Sequence, residues 1–241
     1  MRVRITGMIA ALGLGFAAAL PAEELERVLD RHYEALGGLD RLREVETLRI
    51  TGTNRFQQQE ISVEYSARRP NLLRMESASP VFEMVRVFDG ERAWQAVSQP
   101  GESPQVVEMS GQDALELIRE SDFDGPLIDY EEKGHEVDYQ GLVEQDGSEY
   151  HQLHVTEANG VTETYLIDAD EYRMVRRISS VAVEGGYLDF ETHYGDFREV
   201  DGLVFPFSTA TLSDGQVVFT GTIDEVEVDP ELDITLFQRP G

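Results

Sequence analysis

The side chains that could do acid–base or metal chemistry are spread along this sequence at spacings that bring no set together. His151 and His154 stand three residues apart. On a strand that spacing sends them to opposite faces, so they do not share a metal. His151 is in phase with Leu153 and Val155, the pattern of a satisfied core or rim histidine. His135 and His193 have no ligand-type neighbour at a useful spacing. Asp168-Ala169-Asp170-Glu171 resembles the opening of a calcium loop, but the glycine and the distal glutamate of such a loop are missing. It reads as an acidic turn between two strands. With 47 Asp and Glu, any two neighbouring carboxylates are weak grounds for acid–base catalysis. No G-x-S-x-G, H-E-x-x-H or phosphate-loop motif is present. The sequence therefore points to no catalytic residue, no metal site and no cofactor. A hydrolase built on Asp, Glu and His would need a convergence that spacing does not supply.

The elements that carry these residues are mostly strands. From Val137 to Val228 the chain reads as a run of hairpins, with turns at Asp146-Gly147, Asn159-Gly160, Gly185-Gly186, Asp201-Gly202 and Asp214-Gly215. Such pairs supply the positive φ angles of tight turns. Gly141 is expected to open the first of these strands. In Tyr187–Tyr194, Leu188, Phe190, Thr192 and Tyr194 alternate with polar residues, which predicts a half-buried antiparallel strand. Upstream, Leu25, Val28, Leu29, His32, Tyr33 and Leu36 make one stripe on a helix over 23–36, stopped by Gly37-Gly38. A short helical turn follows at Asp40–Val45. Alternating strands then run to about Val97. Ser110, with Asp113 three residues on, predicts a second N-terminus for a helix to about Arg119. It leads into an apolar segment, Phe123–Tyr130, broken by Gly125-Pro126. One sheet face must be buried, and only these helices and this segment can cover it. A complete cover gives a filled core; an incomplete one gives an apolar cavity, as barrels of this size are found both ways.

The formal charge of −27 excludes nucleic acid as a partner and electrostatic docking on anionic lipid. It suits a soluble, self-repelling carrier, and equally a general acidic bias. There is no cysteine, hence no disulfide, thiolate metal site or lipidated N-terminal Cys. Arg2 and Arg4, the apolar run Ile5–Leu20 and the small residues up to Ala22 have the pattern of a secretory signal peptide over residues 1–22. Cleavage there leaves 219 residues with a formal charge of −29, read as one domain, 23–241, in the periplasm.

The ordered pieces resemble the LolA/LolB-like periplasmic lipoprotein carriers, and most of all the outer-membrane lipoprotein-sorting proteins among them. The pieces are Tyr33-Glu34-Ala35-Leu36-Gly37-Gly38 leading to Leu48–Gly52, Phe88-Asp89-Gly90 with Trp94, and Phe123–Tyr130. Tyr165–Asp168, Val200–Phe207, Phe237 and Pro240 complete the set. The resemblance implies an α+β fold: an open antiparallel half-barrel with helices across its concave face. It implies a cavity that holds the acyl chains of lipoproteins or another lipid, with no catalysis. A membrane release complex or acceptor would receive the cargo. Ser110–Tyr130 would be the lid, contributing Leu115, Ile118, Phe123, Leu127 and Ile128. The walls would come from Ile50, Phe56, Ile61, Val63, Tyr65, Met75, Met84 and Trp94, joined by Leu188, Phe190, Val217 and Phe219. Each of these also fits ordinary core packing. The alternative is an envelope scaffold with a filled core that binds a protein partner.

Overall fold

The structure is a computed structural model and describes residues 21–57, 59–183 and 186–240. The expected signal peptide lies outside the described residues except for its last two positions, as does Gly185 of the expected Gly185-Gly186 turn. The described chain begins with α1 (Pro21–Ala35) and α2 (Leu39–Glu44). Six strands follow: β1 (Thr47–Phe56), β2 (Gln59–Arg68), β3 (Leu72–Ser79), β4 (Phe82–Phe88), β5 (Ala93–Ser98) and β6 (Gln105–Glu108). After α3 (Gly111–Glu120) come β7 (Glu136–Gln145), β8 (Ser148–Thr156), β9 (Thr162–Asp168) and β10 (Met174–Val183). The last strands are β11 (Gly186–Val200), β12 (Leu203–Ser213) and β13 (Gln216–Val228), and a 3-10 turn at Ile234–Phe237 ends the chain.

All thirteen strands form one antiparallel sheet in the order β6-β5-β4-β3-β2-β1-β13-β12-β11-β10-β9-β8-β7. Each pairing but one joins consecutive strands, so the sheet is two meanders sewn together by β1 and β13. The turns follow from local chemistry. Asp146-Gly147, Asp201-Gly202 and Asp214-Gly215 hold both residues at positive φ, the geometry that matches the twist of a two-residue hairpin. Gly141 does not open a strand. β7 already starts at Glu136, and Gly141 sits at a register shift inside it with φ 102°.

The sheet is open, and its helix-bearing side is concave. On that side α1 buries Leu25, Val28, Leu29 and Tyr33 against Val137, Leu153, Val155, Tyr165 and Ile167. The helix stops where its glycines are needed. Gly37, at φ 115°, leaves no room for a side chain: an added Cβ would lie 2.2 Å from the Gly202 carbonyl oxygen. The Val204 N–H donates to the Leu36 carbonyl at 3.0 Å, which ties the end of α1 to the β11–β12 turn. At the other wall Ala114 and Leu117 of α3 pack on Ala67, Leu73, Phe88 and Ala93. A third cluster, Leu48, Phe207 and Val226, lies at the seam between the meanders.

The convex side carries a strap made of the chain after β13. The Thr47 hydroxyl donates to the Pro230 carbonyl at 2.7 Å, Arg68 to Leu232 at 3.3 Å and Arg74 to Leu236 at 3.2 Å. Leu232 and Phe237 are buried there. Among the described residues no helix is long and apolar enough to cross a membrane.

Candidate functional site

The topology forces one segment across the mouth of the half-barrel. β6 and β7 lie at opposite edges of the sheet, yet they are joined by residues 109–135. That connection spans the concave side from wall to wall. It starts as α3 over β4 and β5, with Ser110 at the N-cap as expected, although the Ser110 side chain makes no capping bond. It then passes over the seam and reaches α1.

Charge pairs hold this segment down. Arg119, near the end of α3, bonds Glu157 Oε1 and Glu163 Oε1, both at 3.1 Å, on the opposite wall. Both glutamates are almost fully buried, at 5% and 3% exposure. Burial works against the Arg119 charge, but Glu163 and Glu157 outweigh it and keep its pKa above the ordinary arginine value. Tyr65 donates to the Glu120 carbonyl at 3.2 Å. Arg69 meets Asp124 at 2.7 Å and lies 4.8 Å from the centre of the Phe123 ring. The Tyr33 hydroxyl donates to the Leu127 carbonyl at 2.7 Å, and Arg43 pairs with Asp129.

Below the segment lies an apolar pocket of about 220 Å³. Phe123 and Ile128 roof it. Leu36 and Leu42 come from the helical region, Leu48 from β1, Met174, Tyr194 and Phe197 from β10 and β11, and Leu203–Pro206 from β12. His32 also lines it. Its Nδ1–H donates to the Tyr172 carbonyl at 2.8 Å, and burial lowers its pKa. Pockets for drug-sized ligands run from about 300 Å³ upward. This one is smaller than that range. A second groove, of about 360 Å³, runs along the outer side of α3 between Leu115, Ile118, Pro126 and the β8–β9 turn. A shallower depression of about 800 Å³, lined by Thr53, Arg55, Glu60, Ser62, Pro80 and Val81, opens on the convex face.

Most of the expected wall residues do share the concave face. Cross-strand partners fix this: Ile50 opposes Tyr65, Tyr65 opposes Met75, and Met75 opposes Arg86, two residues from Met84. Val63, Ile61 and Phe56 continue the same face of β2 and β1, and Phe219 pairs directly with Phe56. On the other wall Leu188 and Phe190 are in phase with Tyr194. Phe56 and Leu188 are exposed, so the upper trough is apolar and open. Phe123 and Ile128 enter the pocket, whereas Leu127 is buried against α1. Leu115 and Ile118 face the outer groove, and Val217 is exposed beside a register shift in the β12–β13 pairing.

Trp94 needs correcting. It opposes Val87, which opposes Arg74, a residue bonded to the strap. Trp94 therefore faces the convex side, where its indole N–H donates to Asp89 at 3.0 Å and Arg239 covers its ring at 5.1 Å. A shift of one residue along a strand reverses the face, and the loops around β5 gave no register to fix it. His151 is the core histidine expected, bonded to the Tyr139 hydroxyl at 3.0 Å. Among the described residues no three His, Cys, Asp or Glu side chains are grouped to hold a metal ion.

Sequence reasoning missed the charged residues inside the trough: Arg86, Arg119, Glu120, Glu163 and Arg177. A signal for two of them was available. Arg86 falls in phase with Met84 and Phe88, and Glu163 in phase with Tyr165 and Ile167, so each is a charge written into an inward apolar pattern.

No protein-family model matches this sequence, and no curated protein matches it. Solved structures do match. A DUF1329 family protein from Desulfovibrio piger superposes with a TM-score of 0.61 at 12% identity, covering 88% of this chain and 96% of that one. An outer-membrane lipoprotein-sorting protein domain from Vibrio parahaemolyticus gives 0.58 at 9% identity, over 90% and 97% of the two chains. A LolA superfamily protein from Nitrosomonas europaea gives 0.56 at 15% identity, over 88% and 96%. The topology and these likenesses define an α+β protein built as an open antiparallel half-barrel with helices across its concave face. Within that class the chain has the LolA-like fold.

Proposed function

We propose that this protein is a non-catalytic carrier in the cell envelope that shelters acyl chains of lipoproteins or another lipid beneath residues 110–130. The observation that carries this reading is the apolar pocket roofed by Phe123 and Ile128, in a concave face that also exposes Phe56 and Leu188. Removing a chain from water contributes about 0.8 kcal/mol per buried methylene, so one chain suffices for useful affinity. The segment that roofs the pocket is clasped by ion pairs, and its lifting would load and unload the cargo. The signal-like N-terminus and the sorting-protein fold neighbour support an envelope location and exchange with a membrane release complex or acceptor. A scaffold with a filled core fits less well, because the concave face retains open apolar space.

The test is uptake of a fluorescent acyl probe by the purified protein, together with mass spectrometry of what co-purifies from its native envelope. Bound lipid or acylated peptide near one per protein, and probe uptake weakened in Met174→Trp, are the expected results. A well-folded protein that carries nothing and takes up no probe would end the carrier reading.

A further inference from the structure

The chain has 47 acidic and 20 basic residues, so a buried arginine should find a carboxylate easily. Most of the largely shielded ones do: Arg69, Arg74, Arg119 and Arg176 each sit in a close ion pair. Two arginines on the concave face do not. Among the described residues Arg86 on β4 has only the Met75 sulfur, at 3.7 Å. Arg177 on β10 has only Glu163, at 4.0 Å, and its Nε is buried without an acceptor. Glu163 is already committed to Arg119 at 3.1 Å and to the Tyr165 hydroxyl at 2.8 Å. The rest of the Arg177 side chain is reachable, with 34% of its surface exposed.

These two arginines come from opposite walls toward Glu120 at the end of α3: Arg86 opposes Met75, whose neighbour Tyr65 bonds the Glu120 carbonyl, and Arg177 reaches Glu163, the partner of Arg119. Glu120 Oε2 is buried with no hydrogen-bond partner. Burial raises the Glu120 pKa, against the pull of Arg86, which is the strongest of the nearby positive charges. Tyr194 borders the apolar pocket on one side and lies close to Arg177 on the other, and burial keeps its hydroxyl protonated. The groups meeting in mid-trough are two guanidinium forks, a phenol and one carboxyl whose pKa burial raises. Desolvated donors without acceptors are costly. An oxyanion would satisfy them, and guanidinium forks match carboxylate and phosphate geometry. Apolar surface lies on both sides, with the Phe123-roofed pocket one way and Val63, Met84 and Phe190 the other.

We infer that Arg86 and Arg177 seat the anionic head group, a carboxylate or a phosphate, of a single-chain amphiphile whose acyl chain lies along the trough. This rests on the carrier reading and narrows it from acyl chains in general to acids that carry one.

The experiment is displacement of a fluorescent acyl probe from the delipidated full chain by oleate, methyl oleate and oleoyl lysophosphatidic acid. Oleate or the lysophosphatidic acid should compete at least about tenfold better than methyl oleate, the discrimination expected when a charged hydrogen-bond partner is removed. The better of the two acids identifies the source of the anion. Arg86→Met with Arg177→Met should collapse the acid-to-ester ratio toward one. Arg86→Gln alone should reduce it, should the double variant fail a circular dichroism check. Equal competition by oleate and methyl oleate in the unaltered protein would overturn the anion seat and leave the carrier standing. Failure of the probe and of all three ligands to bind would instead remove the carrier reading, and the seat with it.

Discussion

Two segments without strands lie across this sheet, one on each face, and they are fastened by different chemistry. The convex strap, residues 229–239, hangs from its own backbone carbonyls and buries Leu232 and Phe237. The concave crossing, residues 109–135, buries Leu117 and Leu127 too, but it is also clasped by charged side chains and roofs a pocket of about 220 Å³. Apolar burial gives a permanent seal, because opening it exposes the whole surface to water. Ion pairs can be exchanged for pairing with another charged group, which apolar burial cannot. On the carrier reading, the contrast separates a part that holds the fold from a part that would open.

The largest effect should come from breaking the strap. Phe237→Ala removes a ring that is 2% exposed and should cost about 3–5 kcal/mol, seen as a lower Tm in thermal unfolding. Acyl-probe affinity of the folded fraction should not change. If affinity falls with stability, the two segments are not independent. Next is the clasp. Arg119→Met leaves Glu157 and Glu163 buried without their shared cation, a loss of about 3 kcal/mol. Its signature should be local: amide hydrogen exchange speeds up in α3, and probe association is faster. Uniform loss of protection across the sheet would contradict a clasp.

A smaller effect concerns pH. Burial lowers the His32 pKa in the folded chain, with the bond to Tyr172 only partly opposing it. The unfolded chain therefore takes up this proton more readily than the folded one. The stabilising contribution is complete above the unfolded value of about 6.5 and is lost as pH falls through the folded value. Urea unfolding of His32→Gln should lose less stability between neutral and mildly acidic pH than the unaltered protein does. An identical pH slope in both would remove His32 as the cause. The smallest signal is a near-silence. Trp94 is the only tryptophan and sits under Arg239 on the convex face. Its emission should stay constant on acyl binding and shift in Arg239→Ala.

Much of the fold was legible because each hairpin announces itself locally. Asp201-Gly202 and Asp214-Gly215 adopt the positive φ angles their types suggest, and the Leu25–Tyr33 stripe is the buried face of α1. The crossing segment was legible as an element, since Gly125-Pro126 interrupts an apolar run that neither helix nor strand could continue. The reason it crosses was not. That depends on β1 pairing with β13, a contact no local pattern records. The site was half legible. Alternation placed Ile61, Val63, Tyr65 and Phe190 on the correct face, yet it could not place Trp94 without a register. Leu203–Pro206, which wall the pocket, looked like the rim of a turn. Arg86 and Arg177 looked like polar positions because residue type was weighed above phase.

The pairing of β1 with β13 also sets an order of events. Leu48 meets Val228, about 180 residues later in the chain. One edge of β1 thus stays bare until nearly all of the polypeptide has emerged, whether from a ribosome or through a membrane pore. Contacts this distant in sequence form slowly, and an exposed strand edge recruits other chains. The first six strands can zip up as hairpins, but they wait for the thirteenth before the half-barrel exists. The dense negative charge of the chain keeps waiting copies apart.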